Sequence, residues 1–175
     1  MNLTKNQTLI LCAVLAAFAM IERFVPHMPN ATPITAIAFA GSFYLGRRAA
    51  FLPLLALAIS DLTIGWYDWP VMLTVYGSVA AISLLAVAMK KYQGTLIPWA
   101  AVVLSSVFFY LTTNFAVWAA SVWYPKTLAG LMMSYELGLP FLRNMMVGDL
   151  AYTALLFGAF ELARYGVRQY RLRTA

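Results

Sequence analysis

The sequence predicts an all-α integral membrane protein: one domain over residues 1–175, folded as a compact bundle of six transmembrane helices with an outward-facing pocket. Three observations predict it. The chain is 63% hydrophobic and only 10% charged, well outside the usage of a water-soluble domain. Its apolar residues fall into blocks, several of roughly 17–25 residues, the length that about 30 Å of hydrocarbon demands of a helix. Its basic residues recur in alternate connections between those blocks, the pattern of a chain that crosses repeatedly.

Apolar runs and their breaks give six segments, at residues 8–24, 34–45, 49–64, 71–89, 96–122 and 140–165. The second is short for a simple span. Pro26, Pro29 and Pro33 precede it, which predicts an irregular connection into a short or re-entrant helix, with Asn30 or Thr32 as its N-cap. Non-helical backbone at membrane depth has to be buried in protein or line a wet cavity.

Orientation follows from the loops. Lys5, Arg47, Arg48, Lys90, Lys91, Arg164, Arg168, Arg171 and Arg173 fall on one side if all six segments cross, and Arg23, Lys126 and Arg143 fall on the other. Nine of 12 basic residues on one side predict cytoplasmic N- and C-termini and a multi-pass protein of the bacterial cytoplasmic membrane. Five acids, Glu22, Asp61, Asp68, Glu136 and Asp149, then lie on or near the outer side. A signal peptide ending at Ala17-Phe18-Ala19 is the alternative for the first segment. Its removal leaves five crossings and spoils the alternation.

Composition also narrows function. The net charge of +6 sits in short clusters between apolar blocks, where orientation signals and lipid contacts account for it, so nucleic acid is not an expected partner. One cysteine, Cys12, and one histidine, His27, leave no internal disulfide and no metal site of several His or Cys ligands. The GxxxxGK[ST], GxSxG and HExxH patterns are absent, so the chain is expected to be neither an enzyme nor a carrier of a cofactor, and ATP-driven work needs a partner.

An ionisable group within a span costs about 2.5–3.5 kcal/mol at its centre and calls for a partner or water. Asp61 ends the third segment at the outer side, and Asp149 lies about two turns into the sixth. Arg143 precedes Asp149 by six residues and does not share its face, so both carboxylates look to other helices. Asn114 and Trp118 share a face of the fifth segment, beside Thr113, while Asn144, Gly148 and Tyr152 form one stripe of the sixth, adjacent to Asp149. Together these residues would line the outer half of a cavity. Helix-end caps and interhelical hydrogen bonds account equally well for Asp61 and Asp149, and an interfacial aromatic belt for many of the Trp and Tyr side chains. A carboxylate pair of Asp61 and Asp149 in an intramembrane enzyme is a further alternative.

Six spans in 175 residues, Ala13 and Ala17 one turn apart in "AVLAA", a Pro/Asn-rich first outer loop running into "TPITAIAFAGSFYLG", and polar outer ends of the third, fifth and sixth segments resemble the substrate-binding S-components of energy-coupling factor (ECF) transporters. More narrowly, the stretches "NATPITAIAFAG", "LAISDLTIGWYDWP", "LTTNFAVW", "YPKTLAGL" and "PFLRNMMVGDLAYTALLFG" are similar to a group of small bacterial membrane proteins related to those S-components. The resemblance implies capture of a vitamin or related micronutrient from outside, and docking through Ala13 and Ala17 onto a transmembrane coupling subunit driven by two ATPases. It also allows action without a dedicated coupling module. Resemblance and charge placement together nominate Asn30, Asp61, Trp66, Asp68, Tyr76, Asn114, Trp118, Arg143, Asn144 and Asp149 as the pocket lining. Carboxylates would meet a cation or ring N–H, amides a polar edge, and aromatic rings a planar face. A nitrogenous, ring-containing ligand fits that set; cobalamin, thiamine-like and deazapurine compounds all remain open. The competing reading is a structural or assembly membrane protein with no small-molecule ligand.

Overall fold

The computed structural model describes residues 3–174, and no strand occurs among them. Six α-helices follow in order: α1 (Lys5–Glu22), α2 (Ile34–Ala40), α3 (Leu52–Ile64), α4 (Trp69–Met89), α5 (Ile97–Ala120) and α6 (Leu128–Thr174). Four of them, α1, α4, α5 and α6, are long and apolar enough to cross a membrane.

Local sequence explains most of the boundaries. Thr4 and Gln7 close a reciprocal capping box on α1, which satisfies backbone donors that the first turn leaves free. α3, α4 and α5 each carry a proline in their first two positions, namely Pro53, Pro70 and Pro98. There the missing N–H costs nothing and the fixed φ favours the helix.

The helix α2 is the hub. Every residue from Thr35 to Phe43 is buried, and α1, α3, α4, α5 and α6 all pack on α2. Its alanines make this possible: Ala36 and Ala40 meet Leu15, Ala19, Ala56, Leu156 and Phe160 on one side, while Ala38 and Phe39 meet Ile82, Ala86, Ala101 and Val102 on the other. Small side chains let helix backbones approach closely. Past Ala40 the helix widens into a π-type turn over Gly41–Leu45. A Cβ at Gly41 would stand 2.6 Å from the Ala49 carbonyl oxygen, so only glycine admits the Arg47–Phe51 3-10 turn against it.

Two expectations need correction. The sixth segment does not begin at Pro140: α6 begins at Leu128 and carries Pro140 inside it. Proline deprives the Glu136 carbonyl of its helical donor, but tertiary contacts hold the turn before it. Tyr110 Oη donates to the Tyr135 carbonyl at 2.6 Å, Ser134 Oγ to the Asn114 carbonyl at 3.0 Å, and Tyr135 Oη to the Leu111 carbonyl at 3.2 Å. The second correction concerns α2, which no side chain caps. Pro33 is its N-cap residue, and Asn30 sits three residues upstream in the left-handed region at φ 65°, a conformation asparagine tolerates.

Candidate functional site

The α1–α2 connection crosses one end of the bundle, and three buried carboxylates gather around it. Glu22 is 8%, Asp61 0% and Asp149 2% exposed. Each finds its partners on other elements.

Asp61, in the last turns of α3, lies between α1 and α4. Arg23 Nη2 stands 2.7 Å from its Oδ1, and Tyr76 Oη donates to its Oδ2 at 2.8 Å. Arg23 Nη1 also donates to Ser60 Oγ, and Ser60 hands its own proton back to the Ala56 carbonyl at 2.8 Å. A serine hydroxyl that bonds backward in this way remains free to accept. Tyr67, in the connection after α3, joins the same neighbourhood: burial, and secondarily the Asp61 carboxylate, raise its hydroxyl above the usual tyrosine value.

Glu22 closes α1. Tyr152 of α6 donates to its Oε1 at 2.9 Å, and His27 Nδ1 is 3.7 Å from the same oxygen. That ring nitrogen is only 2.7 Å from the Val25 carbonyl, so its proton points there and not to Glu22. Glu22 Oε2 is buried with no hydrogen-bond partner. Asp149 bonds Ser106 Oγ of α5 at 2.7 Å and Thr35 of α2. No cation pairs with it among the described residues. Next to it, Gly148 lets α6 touch the connection directly, since a Cβ there would stand 2.8 Å from Ala31 Cα.

Electrostatically, this end therefore holds three buried acids against one guanidinium. A buried carboxylate without a countercharge is costly, and the arrangement suits a ligand that brings positive charge or N–H donors.

The nominated residues divide. Asp61, Tyr76 and Asp149 join the carboxylate cluster, and Tyr76 also shares with Trp66 an apolar groove of about 350 Å³ between α3 and α4, completed by Leu62 and Met72. Asp68 is the exposed N-cap residue of α4 and caps nothing with its side chain; Asn30 is exposed in the α1–α2 connection. Asn114 and Trp118 belong to the α5–α6 hairpin instead. Asn114 Nδ2 donates to the Tyr110 carbonyl at 2.9 Å, and Trp118 Nε1 to the Pro125 carbonyl at 2.9 Å. Arg143 is exposed and Asn144 half-buried. Ala13 is exposed and Ala17 half-buried, so both lie on the open side of α1.

Glu22, Arg23, Ser106 and Tyr152, together with Thr35, Ser60 and Tyr67, belong to the cluster but not to the nominated set. The adjacent acid and base at the end of α1 were the available signal for the first two. No periodicity marks Ser106, whose role depends on α5 facing Asp149.

Fold and site define an all-helical, membrane-embedded protein with an acid-rich buried cluster at one end. The family model described as a family of unknown function, DUF6580, matches residues 2–171, and the chain belongs to that family. No curated protein and no solved structure matches the chain.

Proposed function

We propose that the protein is a substrate-binding component, of the type found in ECF transporters, for uptake of a vitamin or related micronutrient. In this reading it is a six-span protein of the bacterial cytoplasmic membrane with both termini inside, and the carboxylate cluster faces out. It works with a coupling subunit and its ATPases, reached through Ala13 and Ala17, or alone. No step of catalysis is assigned to it.

The observation that carries this reading is the surplus of buried acid beneath the α1–α2 connection. Glu22, with an oxygen that no protein group satisfies, would receive a cationic nitrogen or ring N–H, and Asp149 a second one. Trp66 and Tyr67, in the connection after α3, supply aromatic faces near Asp61 and Tyr76. A nitrogenous, ring-containing ligand matches both features.

The structural alternative draws on one specific observation, the Arg23–Asp61 pair, which is neutralised without any ligand. It expects Asp61, Asn114 and Asp149 to be buried against one another with no outward-open space: Asp61 and Asp149 are buried, while Asn114 is half-buried and the three bond to separate partners.

Thermal-shift screening of the purified protein against B vitamins, cobalamins, thiamine precursors and deazapurines tests the proposal, because a ligand selective for the folded state raises the melting point. A cationic or N–H-rich hit that Glu22→Gln abolishes is the expected result. A folded sample that answers to none of these compounds would sink the substrate class.

A further inference from the structure

At the opposite end of the bundle lies a cleft of about 940 Å³ between the α2 turn, the α4–α5 connection and α6. None of the nominated binding residues lines it. Ala154 and Gly158, one turn apart on α6, form its floor, and a Cβ added at Gly158 would meet nothing within 4 Å. Trp99 and Phe157, with ring centroids 6.1 Å apart, form an aromatic wall. Leu96 is 82% exposed at the rim.

The other rim is polar. Tyr44 Oη donates to Glu161 Oε1 at 2.7 Å, and Arg164 Nη1 donates to the same oxygen at 2.9 Å. A guanidinium carries five N–H donors, and Arg164 commits one nitrogen to Glu161, so the rest of the group remains available. Gln93 and Thr95 add polar groups from the α4–α5 connection. Just before them come Lys90 and Lys91, and the turn beyond Tyr44 carries Arg47 and Arg48; none of these four forms an ion pair among the described residues. The cleft is thus apolar along its floor, polar at its mouth and flanked by basic side chains that no carboxylate pairs among the described residues, at the level where α4 ends and α5 begins.

We propose that this cleft binds an anionic phospholipid, with the phosphodiester against Arg164 and the Lys90–Lys91 turn and an acyl chain along Ala154 and Gly158. Basic pockets between helices at a membrane face recognise anionic headgroups in this way. The apolar floor selects a lipid over a free phosphate ester, which would leave Trp99, Phe157 and Leu96 uncovered. A transmembrane helix of another protein would cover the floor but would have to bring its own acid for the flanking cations.

The test is the melting point of the full chain in neutral detergent, with phosphatidylglycerol, phosphatidylcholine or water-soluble glycerol phosphate added. Phosphatidylglycerol is expected to raise it well above the other two. Gly158→Leu, which fills the floor, and Arg164→Gln, which removes the headgroup donor, should each cut that increment by more than half, read against the same variant's own melting point in detergent alone. If Gly158→Leu fails to fold, Ala154→Val makes the same obstruction more gently. Equal shifts from the two phospholipids overturn the proposal, as does an increment that survives in both floor and headgroup variants. A full shift from glycerol phosphate alone overturns the lipid assignment.

Discussion

Arg23 and Asp61 form an ion pair at 2.7 Å that ties the end of α1 to the last turns of α3. Asp61 is fully buried and Arg23 only partly so, which makes the pair asymmetric. Losing Arg23 strands a charge in the interior, whereas losing Asp61 leaves a cation that can turn toward solvent. Removing one partner of a buried pair costs about 3–5 kcal/mol, much of it the penalty on the survivor. Arg23→Met is therefore expected to destabilise by roughly 3 kcal/mol and Asp61→Asn by clearly less. The double variant should be more stable than the sum of the singles implies. Denaturant unfolding in detergent reads all three, and strictly additive losses would show that the pair is incidental.

Gly41 and Gly77 make opposite predictions. Gly41 faces the Ala49 carbonyl with no room for a Cβ, while Gly77 in α4 has open space. Gly41→Ala should destabilise by about 1–3 kcal/mol through overpacking. Gly77→Ala should stabilise by roughly 0.5–1 kcal/mol, the usual gain of alanine over glycine within a helix. The same unfolding experiment measures both. A harmless Gly41→Ala would mean that α2 and the Arg47–Phe51 turn are not held in close contact.

These contrasts show what the sequence made legible. Hydrophobic runs fall on each of the six α-helices, four of them long and apolar enough to cross a membrane, because burial of apolar surface and the reach of a helix leave few other solutions. The start of α6 was misread because Pro140 is a local signal and the contacts that override it, Tyr110 to Tyr135 and Ser134 to Asn114, are tertiary. Asp61 and Asp149 stood out as acids in apolar surroundings. Their partners did not, since nothing in the local sequence says that Arg23 faces α3 or that Ser106 faces α6. The cleft over Gly158 was equally hidden, because open space is a property of the assembled helices.

Tyr67 is one source of alkaline sensitivity in the bundle. Its folded-state value is raised above the ordinary 10.0, first by burial and then by Asp61. Between the unfolded and folded values the native state holds the proton that the unfolded chain has released. Stability contributed by this group is therefore intact below pH 10 and is lost as pH rises through the folded value. Tyr67→Phe should flatten the decline in melting point above pH 10 relative to the unaltered protein. Parallel declines would show that Tyr67 titrates as it does in water.

Glu22 and Tyr152 supply the sharpest separation of binding from stability. Tyr152 provides the hydroxyl that satisfies Glu22 Oε1 at 2.9 Å, while Oε2 is buried without a partner. Tyr152→Phe removes that donor and leaves the carboxylate worse off, at a cost of about 1–3 kcal/mol. Glu22→Gln removes the charge but keeps an acceptor for Tyr152, so the unliganded protein should become more stable by roughly 1 kcal/mol. A group kept for ligand binding at the expense of stability behaves in this way, and the same Glu22→Gln variant should lose the thermal shift given by any cationic ligand. If Glu22→Gln destabilises the unliganded protein as much as Tyr152→Phe does, the glutamate is a structural link between α1 and α6, and the ligand-facing role passes to Asp149.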